Sequence, residues 1–390
     1  MTVIARAPLL ARLRPLYQGL DGPLLLACLW LMAWGLLAMY SVGFDHGTRF
    51  VDQARNFALG AAVMFVVAQF PAARLQRLAL PLYGIGVALL VAVLLFGITR
   101  KGATRWLNIG VTVIQPSELL KIATPLMLAA WFQWRESVSG LTRMRLPDFL
   151  VAFALLALPF LLVAKQPDLG TGLLILFAGL YVIYFAGLSW RLIVPVVVAG
   201  VLGIGVLVAS EERICRDEVS WGVLKDYQKQ RVCTLLDPHK DPLGKGFHVL
   251  QGEIAIGSGG LTGKGFMQGT QTHLEFIPER TTDFVFAAFA EEFGLLGALA
   301  LLAGFSALLF RGLLIAGKAP SLFERLLAGA ITMSLFSYVF VNMGMVMGLL
   351  PVVGVPLPFV SYGGTAMVML GLSLGLLLAI GRSRARPGSY

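Results

Sequence analysis

Ten apolar segments divide this sequence, and each is long enough, at about 17–25 residues, to cross a bilayer as a helix. They fall near 24–43, 54–70, 78–97, 117–134, 149–165, 169–187, 190–209, 283–310, 325–350 and 361–381. Such a run of segments leaves few folds open, because backbone polar groups inside lipid must be satisfied within the segment itself. Composition agrees: 57% of the 390 residues are hydrophobic and only 13% are charged, against about 25% charged in soluble domains. The expected fold is an all-α integral membrane protein, a polytopic bundle of about ten transmembrane helices forming one domain over 1–390. Arg6, Arg12 and Arg14 precede the first segment. Its apolar run is too long for a signal peptide and lacks a small-residue cleavage site, so an uncleaved anchor is expected.

Short-loop charges give an orientation. With the N-terminus in the cytoplasm, the inner loops hold Arg6, Arg12, Arg14, Arg74, Arg77, Arg135, Arg143, Arg145, Arg191, Arg311, Lys318, Arg325, Arg382, Arg384 and Arg386. The outer loops and their edges hold fewer: Arg49, Arg55, Arg100, Lys101, Arg105 and Lys165. The bias places both termini in the cytoplasm. The net charge of +10 then reads as an orientation signal, not as a nucleic-acid footprint.

One loop is long. Residues 210–282 face outward, are near charge balance, and show weak helical patterning at 224–231 and 247–257, which suggests short helices on the outer face. The stretch Gly257 to Gly265 tempts a phosphate-loop reading but fails the pattern. Ser258 stands where the first glycine belongs, and Gly265 where Ser or Thr should follow Lys264. A flexible turn is expected there. Cys28 reads as a small core residue. Cys215 and Cys233 share the outward loop, where an oxidising compartment allows a disulfide if the chain doubles back, with a turn available near Gly222. The sequence leaves bridge and free thiols both open. It shows no His cluster or CxxC pair for a structural metal.

Three span entrances stand apart. The fourth segment opens Gln115-Pro116-Ser117-Glu118 with Lys121 following, the sixth Gln166-Pro167-Asp168, and the eighth Thr281-Thr282-Asp283. In the orientation above all three begin at the outer face, each with a carboxylate in its first turn at a similar depth. An acid near a helix start is ordinary dipole chemistry, and Pro at the first position is equally ordinary. Glu118 and Lys121, three apart on one face, suit a structural ion pair as well as a phosphorylated ligand. Three acids at one level, rimmed by Arg105, Lys121 and Arg280, look more like a site than three caps. Glu291 and Glu292 lie deeper, where a buried polar network and a functional role are equally open.

These motifs resemble the SEDS family, the RodA, FtsW and SpoVE membrane proteins of bacterial wall synthesis. The resemblance runs from about residue 100 onward. It is carried by Arg105-Trp106-Leu107, the Gln115–Lys121 and Gln166–Thr171 entrances, Gln251 to Gly265, Pro278 to Phe284, Glu291 to Gly294, and Leu350 to Gly364. Gly354-Val355-Pro356-Leu357-Pro358 and the short tail fit the elongation branch better than the division branch. Thr281 stands where that branch commonly has His.

The resemblance implies a protein of the bacterial inner membrane that polymerises lipid II, a disaccharide-pentapeptide on undecaprenyl diphosphate, into β-1,4-linked glycan at the outer leaflet. Asp283 matches the family's catalytic Asp and would be the general base. Lys121, Glu118, Asp168, Arg105, Trp106, Gln115, Arg280 and Ser361 are then the substrate-binding candidates. A divalent cation, Mg or Mn, held by Glu118, Asp168 or Asp283 is a further option. The implied partners are a class B penicillin-binding protein, other elongation-complex membrane proteins and membrane lipid. The alternatives are a lipid II flippase, whose ionisable residues should lie at the bilayer midplane, a division-type polymerase, and a scaffold that only recruits a wall enzyme.

Overall fold

The computed structural model describes residues 19–383 apart from 46, 101–102, 109, 111–112, 141–143, 216–218, 220–225, 241–245, 275 and 278. Arg6, Arg12, Arg14, Lys101, Arg143, Gly222, Pro278, Arg384 and Arg386 therefore lie outside the described residues.

The apolar segments become helices α1 (Gly22–Val42), α2 (Arg49–Val67), α3 (Ala72–Phe96), α4 (Pro116–Ser139), α5 (Leu146–Lys165), α6 (Leu169–Phe185) and α7 (Trp190–Ala209). After the long loop come α12 (Val285–Gly317), α13 (Leu322–Val346) and α14 (Gly364–Ser383). Eight of them are long and apolar enough to cross a membrane. The other two are α6, shorter at 17 residues, and α4, which carries charged groups near both ends. Asp21 caps α1, its carboxylate accepting from Leu24 N at 3.1 Å, and also receives Arg311 of α12 at 2.7 Å. Ser321 and Glu324 form a reciprocal capping box that starts α13. The core is built from the inner faces of α4, α12, α13 and α14, whereas α7 buries none of its residues.

Between α3 and α4 the chain forms a small antiparallel meander, β1 (Ile98–Arg100), β2 (Ala103–Asn108) and β3 (Val113–Ile114). The β-branched residues Ile98, Thr99, Thr104, Val113 and Ile114 favour this pleated pairing. The helical reading did not anticipate it.

The long loop holds α8 (Glu211–Ile214), α9 (Asp226–Leu236), a 3-10 turn (Pro238–Lys240), α10 (Phe247–Gly259) and α11 (Thr270–His273). Cys215 and Cys233 are bridged across it, with Cα atoms 5.7 Å apart. Lys240 adds an ion pair to Glu211 at 2.7 Å.

The Gly-rich stretch corrects the expectation of a flexible turn. Gly294 interrupts α12 with φ 62° and ψ −161°, which strips helical partners from the residues around it. Residues 260–265 lie in that break as a strap. Lys264 N donates to Glu291 O and Gly265 N to Glu292 O, both at 3.0 Å, while Leu295 N reaches Gly260 O at 2.9 Å and Leu296 N reaches Leu261 O at 3.1 Å. A broken helix is tolerated at membrane depth when other chain segments satisfy its backbone, and the strap does so here. A Cβ on Gly263 would lie 2.0 Å from Glu292 O, so only glycine admits this approach. Glu291 locks the arrangement from its side chain. Its carboxylate, fully buried, accepts from Lys264 Nζ at 2.6 Å, Gln271 N at 2.9 Å and Thr272 N at 3.2 Å. Glu292 accepts from Ser41 Oγ of α1 at 2.5 Å. Both deep acids thus belong to a structural network.

Candidate active site

The starts of α4, α6 and α12 meet at one end of the bundle around a cavity of about 470 Å³. Of the residues singled out above, Arg105, Trp106, Gln115, Glu118, Lys121, Asp168 and Asp283 all line it. Below this polar mouth the lining turns apolar, through Ile122, Pro125, Leu174, Ala178, Ile331 and Leu335.

Each acid is presented differently. Pro116 starts α4 and Glu118 lies in its first turn. There Glu118 Oε1 meets Lys121 Nζ at 2.7 Å, with both side chains largely withdrawn from solvent. Lys121 also sits over the Tyr338 ring, 5.2 Å from its centre. Asp168 is not in the first turn of α6 but caps it, accepting from Thr171 N at 3.4 Å. Its other oxygen accepts from Gln115 Nε2 at 3.2 Å, and Arg105 of β2 approaches at 3.6 Å. Asp283 precedes the helix altogether: α12 begins at Val285 with Phe284 as its cap residue. Asp283 therefore rides on a turn, its carboxylate against Gly354, where an added Cβ would lie 3.2 Å from Oδ2.

Two candidates fall elsewhere. Arg280 is drawn away from the cavity by Asp45, 2.5 Å from its guanidinium, and by the Val42 carbonyl at 3.3 Å, with Phe44 beneath it. It fastens the turn before α12 to the end of α1. Ser361 is buried, and its hydroxyl serves backbone groups, donating to Thr282 O and accepting from Leu357 N, both at 2.7 Å. Nor do the acids gather as a metal site: among the described residues no three His, Cys, Asp or Glu groups converge on one point. Glu118 is engaged by Lys121, and Asp168 by Gln115 and its own helix start, so these donors do not form a ready cation cage.

Sequence reading passed over Tyr338 and Asn342, and took Gly354 only as part of a family motif without placing it at the site. Asn342 left a signal, since an amide within the apolar run Tyr338-Val339-Phe340-Val341-Asn342 at membrane depth needs partners. Fully buried, it donates to Asp283 O at 3.0 Å and Val355 O at 2.7 Å.

Against known proteins, the profile of the family described as "Cell cycle protein", FTSW_RODA_SPOVE, matches residues 23–386. The peptidoglycan glycosyltransferase MrdB of Escherichia coli (strain K12) is 46% identical over 361 residues, 93% of each chain. Stage V sporulation protein E of Bacillus subtilis (strain 168) is 34% identical over 93% of this chain and 97% of its own length. Among solved structures, one described as "Structural coordination of polymerization and crosslinking by a peptidoglycan synthase complex" superposes with a TM-score of 0.76 at 31% identity, covering 95% of this chain and 100% of its own. The rod shape determining protein RodA of Thermus thermophilus superposes at 0.68 with 27% identity, over 95% and 99%. With a profile match over nearly its whole length and a relative at this identity, the chain belongs to the FtsW, RodA and SpoVE family of membrane proteins.

Proposed function

We propose that this protein is a peptidoglycan glycosyltransferase that polymerises lipid II into β-1,4-linked glycan strands at the outer face of the cytoplasmic membrane during elongation. The observation that carries the reading is the cavity itself. It sets one carboxylate on a turn, a buried lysine with its acid partner, and an arginine beside a capped aspartate above an apolar floor.

That layout suits a lipid-linked diphosphate sugar. Asp283 takes the proton from the acceptor sugar hydroxyl as that oxygen attacks the donor's anomeric carbon. The anomeric carbon–oxygen bond breaks on the opposite face, the undecaprenyl diphosphate leaves, and the centre inverts. A diphosphate leaves readily, so one carboxylate suffices where glycoside hydrolases need two. Lys121 and Arg105 supply positive charge where the leaving group gathers negative charge. Glu118 and Asp168 hold those cations in place, with Gln115 and Trp106 completing the rim. The apolar floor accepts the start of the lipid tail. A divalent cation arriving with the substrate would draw its ligands from the diphosphate, water and one of Glu118, Asp168 or Asp283.

A class B penicillin-binding protein that cross-links the product is the proposed partner. It is supported by the likeness to the complex that couples polymerisation to cross-linking. A transporter places its ionisable residues at the midplane, whereas here the charged residues of the cavity crowd one end of the bundle. The test is polymerisation of labelled lipid II by the purified full chain, alone and with its transpeptidase. Glycan strands from the wild type and none from a folded Asp283→Ala variant are expected; polymer of normal length and rate from Asp283→Ala would end the assignment of the base.

A further inference from the structure

The turn that presents Asp283 is not helical, so its carbonyls have no partners further along a helix. Three successive ones nevertheless each receive a donor, and every donor comes from the C-terminal third of the chain. Tyr362 N donates to Thr281 O at 2.8 Å. Ser361 Oγ donates to Thr282 O at 2.7 Å. Asn342 Nδ2 donates to Asp283 O at 3.0 Å.

Asn342 does more than complete the set. Its amide nitrogen donates to two carbonyls from separate segments, Asp283 O at 3.0 Å and Val355 O at 2.7 Å. Val355 follows Gly354, the residue against which Asp283 Oδ2 rests. One buried amide therefore sets the distance between the turn that carries the carboxylate and the loop that backs it. The amide cannot be reversed, because its oxygen would then face two other oxygens. Oδ1 is buried without a partner among the described residues.

We propose that Asn342 is a positioning residue for glycosyl transfer, the strut of a three-point clamp that fixes Asp283 relative to the cavity. Ser361 and the Tyr362 amide are its other two points. Asn342 acts through Asp283, touching neither sugar nor diphosphate. The proposal rests on Asp283 being the base. A shift of about 1 Å in a reacting group costs on the order of 100-fold in rate, so loss of the strut acts on kcat and leaves substrate binding intact.

The experiment compares wild type, Asp283→Ala, Asn342→Leu and Ser361→Ala as full chains with their transpeptidase. It measures kcat and KM for lipid II, thermal stability, and amide hydrogen exchange across 281–284 and 355–362. Leu has the same branching and heavy-atom count as Asn, with more bulk and no donors; Ser361→Ala removes one clamp point without opening a large void. The expected result for Asn342→Leu is a kcat lowered about 100-fold with KM within twofold, and faster exchange at the Tyr362 amide. Ser361→Ala should show the same pattern, smaller. A folded Asn342→Leu protein with kcat within threefold of wild type overturns the proposal, as does unchanged exchange at Tyr362. If Asn342→Leu does not fold, Ser361→Ala decides by the same two readouts. An active Asp283→Ala protein would instead bring down the base assignment, and the exchange data would still judge the clamp.

Discussion

Gly354 shows how narrowly the carboxylate is held. Its φ of 72° is one that side-chain-bearing residues adopt at a cost of about 1–2 kcal/mol, and an added methyl would press on Asp283. Gly354→Ala is expected to lower polymerisation at least tenfold while the protein still folds, measured as glycan formed per folded molecule. At Glu118 and Lys121 the question is whether a 2.7 Å ion pair is structure or machinery. A charge-swapped double variant, Glu118→Lys with Lys121→Glu, restores the attraction but inverts the charges shown to a diphosphate. It should stay inactive with thermal stability recovered toward wild type; restored activity would make the pair a brace only. The acids at the mouth were legible in the sequence because charge beside a long apolar run is conspicuous. Arg280 was equally conspicuous, yet its partner Asp45 lies far off in the chain, and no local pattern foretold that pairing. Asn342 carries one amide in an apolar span, and its meaning depends wholly on two carbonyls brought to it by folding.

Helices were readable as elements because each needs the same length to cross the same slab, and observed ends differ from expected ones by up to seven residues. The meander was missed because its strands are short and sit between stronger helical signals. The strap at 260–265 was misread for a deeper reason. Glycines signal freedom when seen alone, whereas here Gly263 has φ 78° and is pressed against the Glu292 carbonyl. Gly263→Ala is expected to cost about 3 kcal/mol or more, the range of severe backbone and packing conflicts. A large drop in melting temperature would show it. The bridge between Cys215 and Cys233 closes a loop of sequence separation 18, and its removal should cost about 3 kcal/mol on the chain-entropy account. Non-reduced peptide mapping of protein from its native membrane should find the linked pair, and two alkylatable thiols would contradict it. His248 of α10 lies against Phe284, ring centres 5.8 Å apart. Burial pushes its imidazole below the ordinary value, with Glu279 pulling the other way. A lowered value favours the neutral ring in the fold. That stability is present above the unfolded value of about 6.5 and is lost as pH falls through the folded one. Acidification from about pH 7 to pH 5 should therefore lower the melting temperature of wild type more than that of His248→Gln.

At the scale of the whole molecule, polymerase and flippase differ in what they do to a labelled lipid. A polymerase joins headgroups on one side of a vesicle, whereas a flippase moves them across without joining them. Reconstituted protein should lengthen glycan strands from lipid II supplied on one face alone, with no headgroup crossing required. The break in α12 bears on how such a bundle comes to exist. Its two halves share four backbone hydrogen bonds with the strap, and each group left bare in lipid would cost several kcal/mol. The strap precedes α12 in the chain and is bonded to residues on both sides of Gly294, so neither the strap nor the broken helix has its backbone satisfied without the other. Insertion of α12 and docking of the loop are therefore a single event in biogenesis. A protein with residues 260–265 replaced by an unrelated linker is expected to lose the helix along with the loop, read as loss of folded protein from the membrane fraction.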